Sequence, residues 1–321
     1  MTINIAVIMD PIESIHHYKD STFAMLLEAQ RRSWSIYYIR PNSLYVLDGR
    51  PFAQAASLSV QDQSQNWYQL EDYADIELSE VNVILMRKDP PFNMEYIYAT
   101  YVLELAQQAG TCVVNNPGSL RNMNEKFSIV NFPSCCTPTL VTRDRERINH
   151  FITEHGDVVV KPMDAMGGES IFRITPNDSN KNSIIDQITD KSTTTIMAQR
   201  FIPEISQGDK RILVVNGEPI DYALARVPAS GEFRGNLAAG GSGHGVPLSD
   251  KDRQICTEIK STLVDNGILF AGVDVIGPYL TEINITSPTC IRELDTLYDL
   301  DIASQLLDCI EDQIVKHKSS V

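Results

Sequence analysis

The sequence predicts an α/β protein in two parts: a parallel sheet layered with helices over roughly the first 120 residues, then a mixed α+β arrangement. Three observations carry this. Apolar runs at residues 4–9, 35–39, 81–86 and 112–115 alternate with amphipathic stretches, and that rhythm builds a parallel sheet with helices on its faces. The run at 81–86 is almost continuously apolar, as a strand covered on both sides must be. Past Asn116-Pro117-Gly118 the rhythm gives way to short strands and turns, with Asn216-Gly217 marking a hairpin.

The elements follow in order. After the strand at 4–9, Asp20 or Ser21 caps an amphipathic helix running to Arg32, with Phe23, Leu26 and Leu27 on one face. A second strand covers 35–39, and residues 44–46 before Asp48-Gly49 suggest a small hairpin. The strand at 81–86 leads to a helix at 96–109 that stops at Gly110, then to a short strand at 112–115. Residues 119–131 read as a helix. Strands follow at 139–141, 158–161, 171–174 and 195–201, with a polar-faced helix over 143–155. The Asn216-Gly217 turn joins strands at 209–215 and 220–226. Residues 228–245, rich in glycine and small side chains, read as a mobile loop. A helix at 249–266 stops at Gly267, two strands joined by Gly277-Pro278 cover 273–284, and a last helix spans roughly 301–317.

Composition narrows the function classes. The 321 residues can bury a large core, and 43% apolar with 21% charged residues is ordinary for a globular enzyme. Lys and Arg total 27 against 42 Asp and Glu, a formal charge of −15. Such a surface repels nucleic acid and anionic membranes, so an anionic substrate needs a local cluster of cations. The N-terminus carries no basic region before its apolar run and reads as a strand, not a signal peptide. No apolar run approaches the ~20 residues of a membrane span. The six cysteines have neither zinc spacing nor a disulfide pattern, and read as free thiols in a reducing cytoplasm. The six histidines form no ligand spacing, and no Ser-His-Asp or Cys-His arrangement is visible.

The most informative segment is Val273-Asp274-Val275-Ile276-Gly277-Pro278-Tyr279-Leu280-Thr281-Glu282-Ile283-Asn284. Alternation puts Glu282 and Asn284 on one strand face, and a hairpin brings Asp274 to it. Two carboxylates and an amide oxygen on rigid strands suit Mg²⁺. The competing reading is a buried polar cluster that satisfies itself, or an exposed polar face. Asp164-Ala165-Met166-Gly167-Gly168 follows an apolar strand ending at Lys161. Tandem glycines there let backbone N–H groups approach phosphate, though an ordinary turn fits the segment equally. Lys161 and Lys126 flank this loop. Gln199-Arg200-Phe201-Ile202-Pro203 ends a strand whose backbone could read a nucleobase edge, or is plain core. Gly231 to Gly241, carrying Arg234 and Asn236, has the makings of a lid or of a surface loop. Arg87, Arg226 and Arg292 could hold anionic groups or form surface ion pairs.

Together these segments resemble the prokaryotic glutathione synthetases of the ATP-grasp superfamily. The resemblance runs along essentially the whole chain. It is carried by Ile8-Met9-Asp10-Pro11, residues 21–32, Leu85 to Phe92 with Arg87-Lys88-Asp89-Pro90-Pro91, Asn124-Glu125-Lys126, Lys161-Pro162 with Met166-Gly167-Gly168, Gly208-Asp209-Lys210-Arg211, residues 234–241, and residues 280–292. It implies an N-terminal parallel-sheet pre-ATP-grasp domain over 1–122 and the two lobes of the ATP-grasp fold at 123–202 and 203–321, with a lid near 227–245. It implies ligation of γ-glutamylcysteine to glycine at the expense of ATP, with Mg²⁺ or Mn²⁺, in a cytoplasmic homotetramer. Lys126 and Lys161 would contact ATP phosphates beneath a loop of Met166, Gly167 and Gly168. Gln199, Arg200, Phe201 and Ile202 would line the adenine, with Asp209 near the ribose. Asp274, Glu282 and Asn284 would hold the metal. Arg211, Arg226 and Lys161 would act on the transferred phosphoryl group, and Arg87, Arg234, Asn236, Ser287 and Arg292 on the substrates. Two departures stand out. The family's loop more often begins Asp-Gly, whereas Ala165 follows Asp164; if that position needs a positive φ, alanine costs on the order of 1 kcal/mol. And Gly241-Ser242-Gly243-His244-Gly245 is glycine-rich enough to suggest a loose end to the lid. Another ATP-grasp ligase, or a nucleotide-binding regulator without turnover, are the competing readings.

Overall fold

The computed structural model describes residues 3–165, 167–229, 231–232, 234–235 and 241–319, with side chains described as far as residue 316. Three sheets organise it. The first has six strands: β1 (Asn4–Ile8), β2 (Ser35–Leu47), β3 (Arg50–Val60), β4 (Tyr68–Glu77), β5 (Val83–Met86) and β6 (Cys112–Val114), in the order β4-β3-β2-β1-β5-β6. Strands β2, β1, β5 and β6 run parallel, as the apolar runs predict. Asp20 caps α1 (Ser21–Arg31) by accepting the Phe23 N–H at 2.7 Å, and Asn93 does the same for α2 (Met94–Gln108) at Tyr96.

Three expectations need correction here. The hairpin at Asp48-Gly49 forms as expected but is larger, with long strands and β4 added as a third, so an antiparallel meander makes the first sheet mixed. Strand β4 is an edge strand with mostly exposed side chains, which erases the apolar contrast that marks a strand in sequence. The helix expected at 119–131 breaks into α3 (Pro117–Asn122) and a 3₁₀ turn at 127–131. Asn124 is the cause: its Oδ1 accepts the N–H groups of Lys126 and Phe127 at 3.1 and 2.8 Å, competing with helical bonding. The third concerns the end of the presumed lid and is taken up with the third sheet.

The second sheet contains β7 (Thr139–Thr142), β8 (Val158–Pro162), β9 (Phe172–Ile174) and β10 (Ile196–Arg200), antiparallel in the order β7-β10-β8-β9. Val158, Val160, Ile196 and Ala198 face α4 (Arg145–His155) and α5 (Lys181–Ile188), forming a core of their own. Alternation then turns Val159, Lys161 and Gln199 to the opposite face. Helix α5 escaped the sequence reading because only Ile184, Ile185 and Ile188 break its polar surroundings.

The third sheet contains β11 (Asp209–Val215), β12 (Glu218–Val227), β13 (Ser242–Pro247), β14 (Phe270–Ile276) and β15 (Tyr279–Asn284), antiparallel in the order β13-β12-β11-β14-β15. Residues 242–245, expected in a loose loop, form the start of β13 and pair with β12. Their glycines serve close approach: a Cβ on Gly245 would lie 2.3 Å from the Tyr298 ring, which stacks on Tyr222 at 3.7 Å. Helix α6 (Asp250–Asp265) opens with a reciprocal cap between Ser249 and Asp252. α7 (Ile291–Tyr298), which the sequence did not announce, and α8 (Ile302–Ser319) complete the chain.

The first and third sheets share their apolar clusters; the second keeps one of its own and lends Met197, with Val141 at the edge, to theirs. Asn115 stitches the shared region. Its Nδ2 donates to the carbonyls of Phe270 and Ile285, both at 2.7 Å, and its Oδ1 accepts from Leu269 and Phe270 N–H. Arg32 does the same for α1 and α8 through Glu28, Asp308 and Glu311. Substituting Asn115→Ala strands four buried backbone groups and is expected to cost about 2–4 kcal/mol of stability. Urea unfolding checks this; a loss under about 1 kcal/mol would remove Asn115 from this role.

Candidate functional site

The face of the second sheet turned away from α4 and α5 and the face of the third sheet turned away from α6 enclose a cavity of about 350 Å³. Its lining takes Val159, Lys161 and Gln199 from the second sheet, and Asp209, Arg211, Arg226, Asp274, Glu282 and Asn284 from the third. Lys126, Gly167, Gly168, Arg200, Phe201, Ile202, Arg234 and Ser287 also line it.

On the third sheet, Asp274 sits directly opposite Glu282 and Gly272 opposite Asn284, so the three oxygen-bearing side chains share one face. Asn284 donates its Nδ2 to the Gly272 carbonyl at 3.1 Å, which leaves the amide oxygen as the group it can offer. Glu282 faces two buried ammonium groups: its Oε1 lies 3.8 Å from Lys126 Nζ and 3.7 Å from Lys161 Nζ. Lys161 also donates to the Thr281 carbonyl at 3.2 Å. Burial pushes Lys161 below the ordinary lysine range, and Glu282 opposes the shift while Lys126 adds to it.

Asp274 is held more tightly than the sequence suggested. Arg211 grips it in two-pronged fashion, Nε to Oδ1 at 2.5 Å and a terminal nitrogen to Oδ2 at 2.9 Å, and Arg226 reaches Oδ2 at 2.9 Å. Burial alone would raise this carboxyl, but the two guanidinium groups hold it well below the usual range. Arg226 also pairs with Asp209 Oδ2 at 2.5 Å. Burial pushes Asp209 up to about 6 against the pull of Arg226, with Asp274 and Glu282 adding to the rise. Asp209 Oδ1 is buried without a hydrogen-bond partner. Among the described residues no group of three or more His, Cys, Asp or Glu is placed to cage a metal alone. The donor set fits a hard cation shared with phosphate oxygens, since Mg²⁺ is held by one or two carboxylates plus its ligand. Glu282 and Asn284 would supply oxygens, and Asp274 the lone pairs its arginines leave free.

Two loops close over this floor. Gly167, Gly168 and Ser170 take positive φ of 69°, 79° and 55°, so the left-handed demand falls on the tandem glycines and on Ser170. Lys126 Nζ donates to the Ala165 carbonyl at 2.5 Å, tying this loop down. Arg234 crosses to it, with a terminal nitrogen 3.4 Å from the Gly168 carbonyl. Gly235 lies so close to the floor that a Cβ there would meet the Arg226 carbonyl at 2.6 Å and Asp209 Cβ at 2.8 Å. Met166 and Asn236 lie outside the described residues.

The far end of the cavity is apolar, walled by Val159, Ile171, Ile202, Ile205 and Ile276. Gln199 donates to Thr139 Oγ1 at 3.0 Å, and Arg200 to Thr137 Oγ1 and Tyr279 Oη at 3.1 and 3.2 Å. Phe201 carries the Arg173 guanidinium over its ring at 3.8 Å.

Two expected substrate residues do not line the cavity. Arg87 is buried behind the wall, donating to Thr22 Oγ1 at 3.1 Å and to the Pro288 carbonyl at 2.9 Å. Arg292 pairs with Asp62 at 2.9 Å. Ser287 does line it, and donates its hydroxyl to Asp89 Oδ1. Asp89 and Glu125 line the cavity although the sequence reading gave them no role. Their place in Arg87-Lys88-Asp89-Pro90-Pro91 and Asn124-Glu125-Lys126 was the available signal.

The Asp209 shift has a measurable sign. Between its ordinary value of 3.8 and about 6, the folded chain keeps a proton that the unfolded chain has lost. Stability from this group therefore falls as pH rises through that window, by on the order of 2 kcal/mol. Asp274, shifted the other way, contributes stability above its ordinary value that is lost as pH falls. Comparing wild type with Asp209→Asn isolates the first effect: relative to the variant, wild type should lose unfolding free energy from pH 4 to pH 6.5. Parallel curves would show that Asp209 ionises as freely in the fold as out of it.

Comparison with known proteins matches this layout. A model of the prokaryotic glutathione synthetase N-terminal domain matches residues 3–121, and one of the prokaryotic glutathione synthetase ATP-grasp domain matches 125–299. The glutathione synthetase of Xanthomonas axonopodis pv. citri is 51% identical over 311 residues, 97% of this chain and 98% of that protein. That of Vibrio vulnificus is 52% identical over the same shares. Among solved structures, the ATP-grasp ligase PsnB complexed with minimal precursor, Mg, and ADP superposes with a TM-score of 0.62 at 16% identity, covering 97% of this chain and 98% of that one; this is a likeness of fold. With both of its parts matched and half its residues shared with these relatives, the chain belongs to the prokaryotic glutathione synthetase family.

Proposed function

We propose that the chain ligates γ-glutamylcysteine to glycine, consuming ATP and releasing ADP and phosphate. The observation that carries this is the convergence of Lys126 and Lys161 on Glu282, beside Asn284 and the arginine-clamped Asp274, in one cavity. A carboxylate is a poor electrophile. Its oxygen attacks the γ-phosphorus, ADP leaves, and an acyl phosphate forms. The glycine amine then adds to the acyl carbon and loses a proton, and phosphate departs.

The residues divide this work by position. Gln199, Arg200, Phe201 and Ile202 line the adenine, with Asp209 toward the ribose. Lys126 and Lys161 pin the phosphates under the Gly167-Gly168 loop. Asp274, Glu282 and Asn284 would hold Mg²⁺ or Mn²⁺, which when bound neutralises phosphate charge. Arg211 and Arg226, fixed by Asp274, face the transferred phosphoryl group, and Arg226 stabilises the oxyanion of the second step. Arg234 with Asn236 closes over the acyl phosphate and limits its hydrolysis. Ser287 contacts the peptide substrate; Arg87 supports it from behind the Pro288 wall, and Arg292 is the further candidate for a substrate carboxylate. Proton loss from glycine needs no side-chain nucleophile.

The same reading takes 1–122 as the peptide-binding domain, 123–202 and 203–321 as the two ATP-clasping lobes, and the lid as lying near 227–245, narrowed by β13. It takes the protein as a cytoplasmic homotetramer that binds neither nucleic acid nor membrane. The formal charge of −15 supports the last two points, and no helix among the described residues is long and apolar enough to cross a membrane.

Phosphate release with ATP and Mg²⁺ should require γ-glutamylcysteine and glycine together. Release with other carboxylates instead would point to a different ligase, and ATP binding without release to a regulator. Substituting Glu282→Gln should lower kcat by at least about a hundredfold and leave the unfolding temperature nearly unchanged. Full activity in that variant would take Glu282 out of the site.

A further inference from the structure

Glu125 lies between α3 and the 3₁₀ turn at 127–131. Its Oε1 accepts three hydrogen bonds: from the Ile285 N–H at 2.8 Å, the Thr286 N–H at 3.0 Å and Thr286 Oγ1 at 2.8 Å. Its own carbonyl accepts the Ile283 N–H at 2.9 Å. The partners bracket Asn284 and begin one residue past Glu282. The neighbours of Glu125 are tied elsewhere. Asn124 donates its Nδ2 to the Met163 carbonyl at 3.2 Å, at the root of the glycine loop. Lys126 donates to Ala165 within that loop while facing Glu282. Three consecutive residues thus fasten to the base of one loop, the end of β15 and the loop itself.

The local turn does not need this carboxylate, because the Asn124 side chain already satisfies the Lys126 and Phe127 N–H groups. What the carboxylate adds is a charge-assisted link across 160 residues of sequence, from the segment bearing Lys126 to the strand bearing Glu282 and Asn284. We infer that Glu125 is a positioning residue for nucleotide binding, holding the Lys126 ammonium in register with the oxygens of Glu282 and Asn284. This rests on the reading of the cavity as an ATP site. A phosphate chain and its cation then meet groups already spaced for them, and no binding energy goes into bringing the two segments together.

The test is calorimetric titration of ADP in the presence of Mg²⁺ into wild type, Glu125→Ala, Glu125→Gln, Thr286→Val and Arg32→Ala, with thermal unfolding and steady-state kinetics alongside. Glu125→Ala should weaken ADP binding by on the order of tenfold to a hundredfold, the range for groups that orient a ligating residue, and raise the KM for ATP in parallel. Glu125→Gln keeps an oxygen for the two backbone N–H groups and should return to within about threefold of wild type. Arg32→Ala breaks the distant α1–α8 ion network and should lower the unfolding temperature with the ADP Kd unmoved. Wild-type affinity in Glu125→Ala would overturn the inference, as would an equal loss of affinity in Arg32→Ala. Should Glu125→Ala fail to fold, Thr286→Val decides: it removes one of the three bonds, a loss of about threefold or more is expected, and an unchanged Kd overturns the inference. Failure of wild type to bind ADP at all would overturn the reading of the cavity, and this inference with it.

Discussion

Two buried ammonium groups facing one carboxylate are the constraint around which this molecule is arranged. Lys126 and Lys161 each stop short of hydrogen-bond distance from Glu282, at 3.8 and 3.7 Å. Two cations taken out of water with one shared and loosely held counter-charge are costly unless further anions join them. A phosphate chain supplies those anions. The arginines nearby differ, since Arg211 and Arg226 are already paired through Nε and one terminal nitrogen with Asp274 and Asp209. The site therefore separates groups prepared for a ligand from groups held rigid by each other.

That separation follows from the sheets. Strand pairing puts Asp274 opposite Glu282 and Arg211 opposite Asp274, so a single face of the third sheet carries the charged floor. The third sheet is anchored to the first through shared apolar clusters and through Asn115. The second sheet brings Lys161 and Gln199 from a unit with its own core. Polar contacts from Lys126, Lys161 and Arg234, together with the packing of Met197 into the shared cluster, tie that unit to the rest.

Much of this was legible in the sequence, and the exceptions have physical causes. Strong periodicity announced β1, β5, α1 and α2, and Asn216-Gly217 announced the β11–β12 hairpin. The shared face of Glu282 and Asn284 followed from two-residue alternation, and that of Asp274 from the hairpin expected at Gly277-Pro278. Strand β4 was hidden because its side chains are exposed on an edge. The break after Asn122 was hidden because an asparagine side chain, and not a glycine or proline, ends the helix. The glycines at the start of β13 looked like looseness, but the segment is a paired strand in which Gly245 makes room for Tyr298. The arginine clamp on Asp274 could not be read at all, because it joins residues 63 positions apart whose pairing only the sheet order decides. Arg87, chosen for its charge, is engaged behind the cavity wall, and Arg292 is paired with Asp62.

The most direct test is a crystal structure with a non-hydrolysable ATP analogue and Mg²⁺. The account places the phosphate chain between Lys126 Nζ and Lys161 Nζ, with a cation bound to oxygens of Glu282 and Asn284. Phosphates lying elsewhere, with Glu282 still facing only its two lysines, would contradict it.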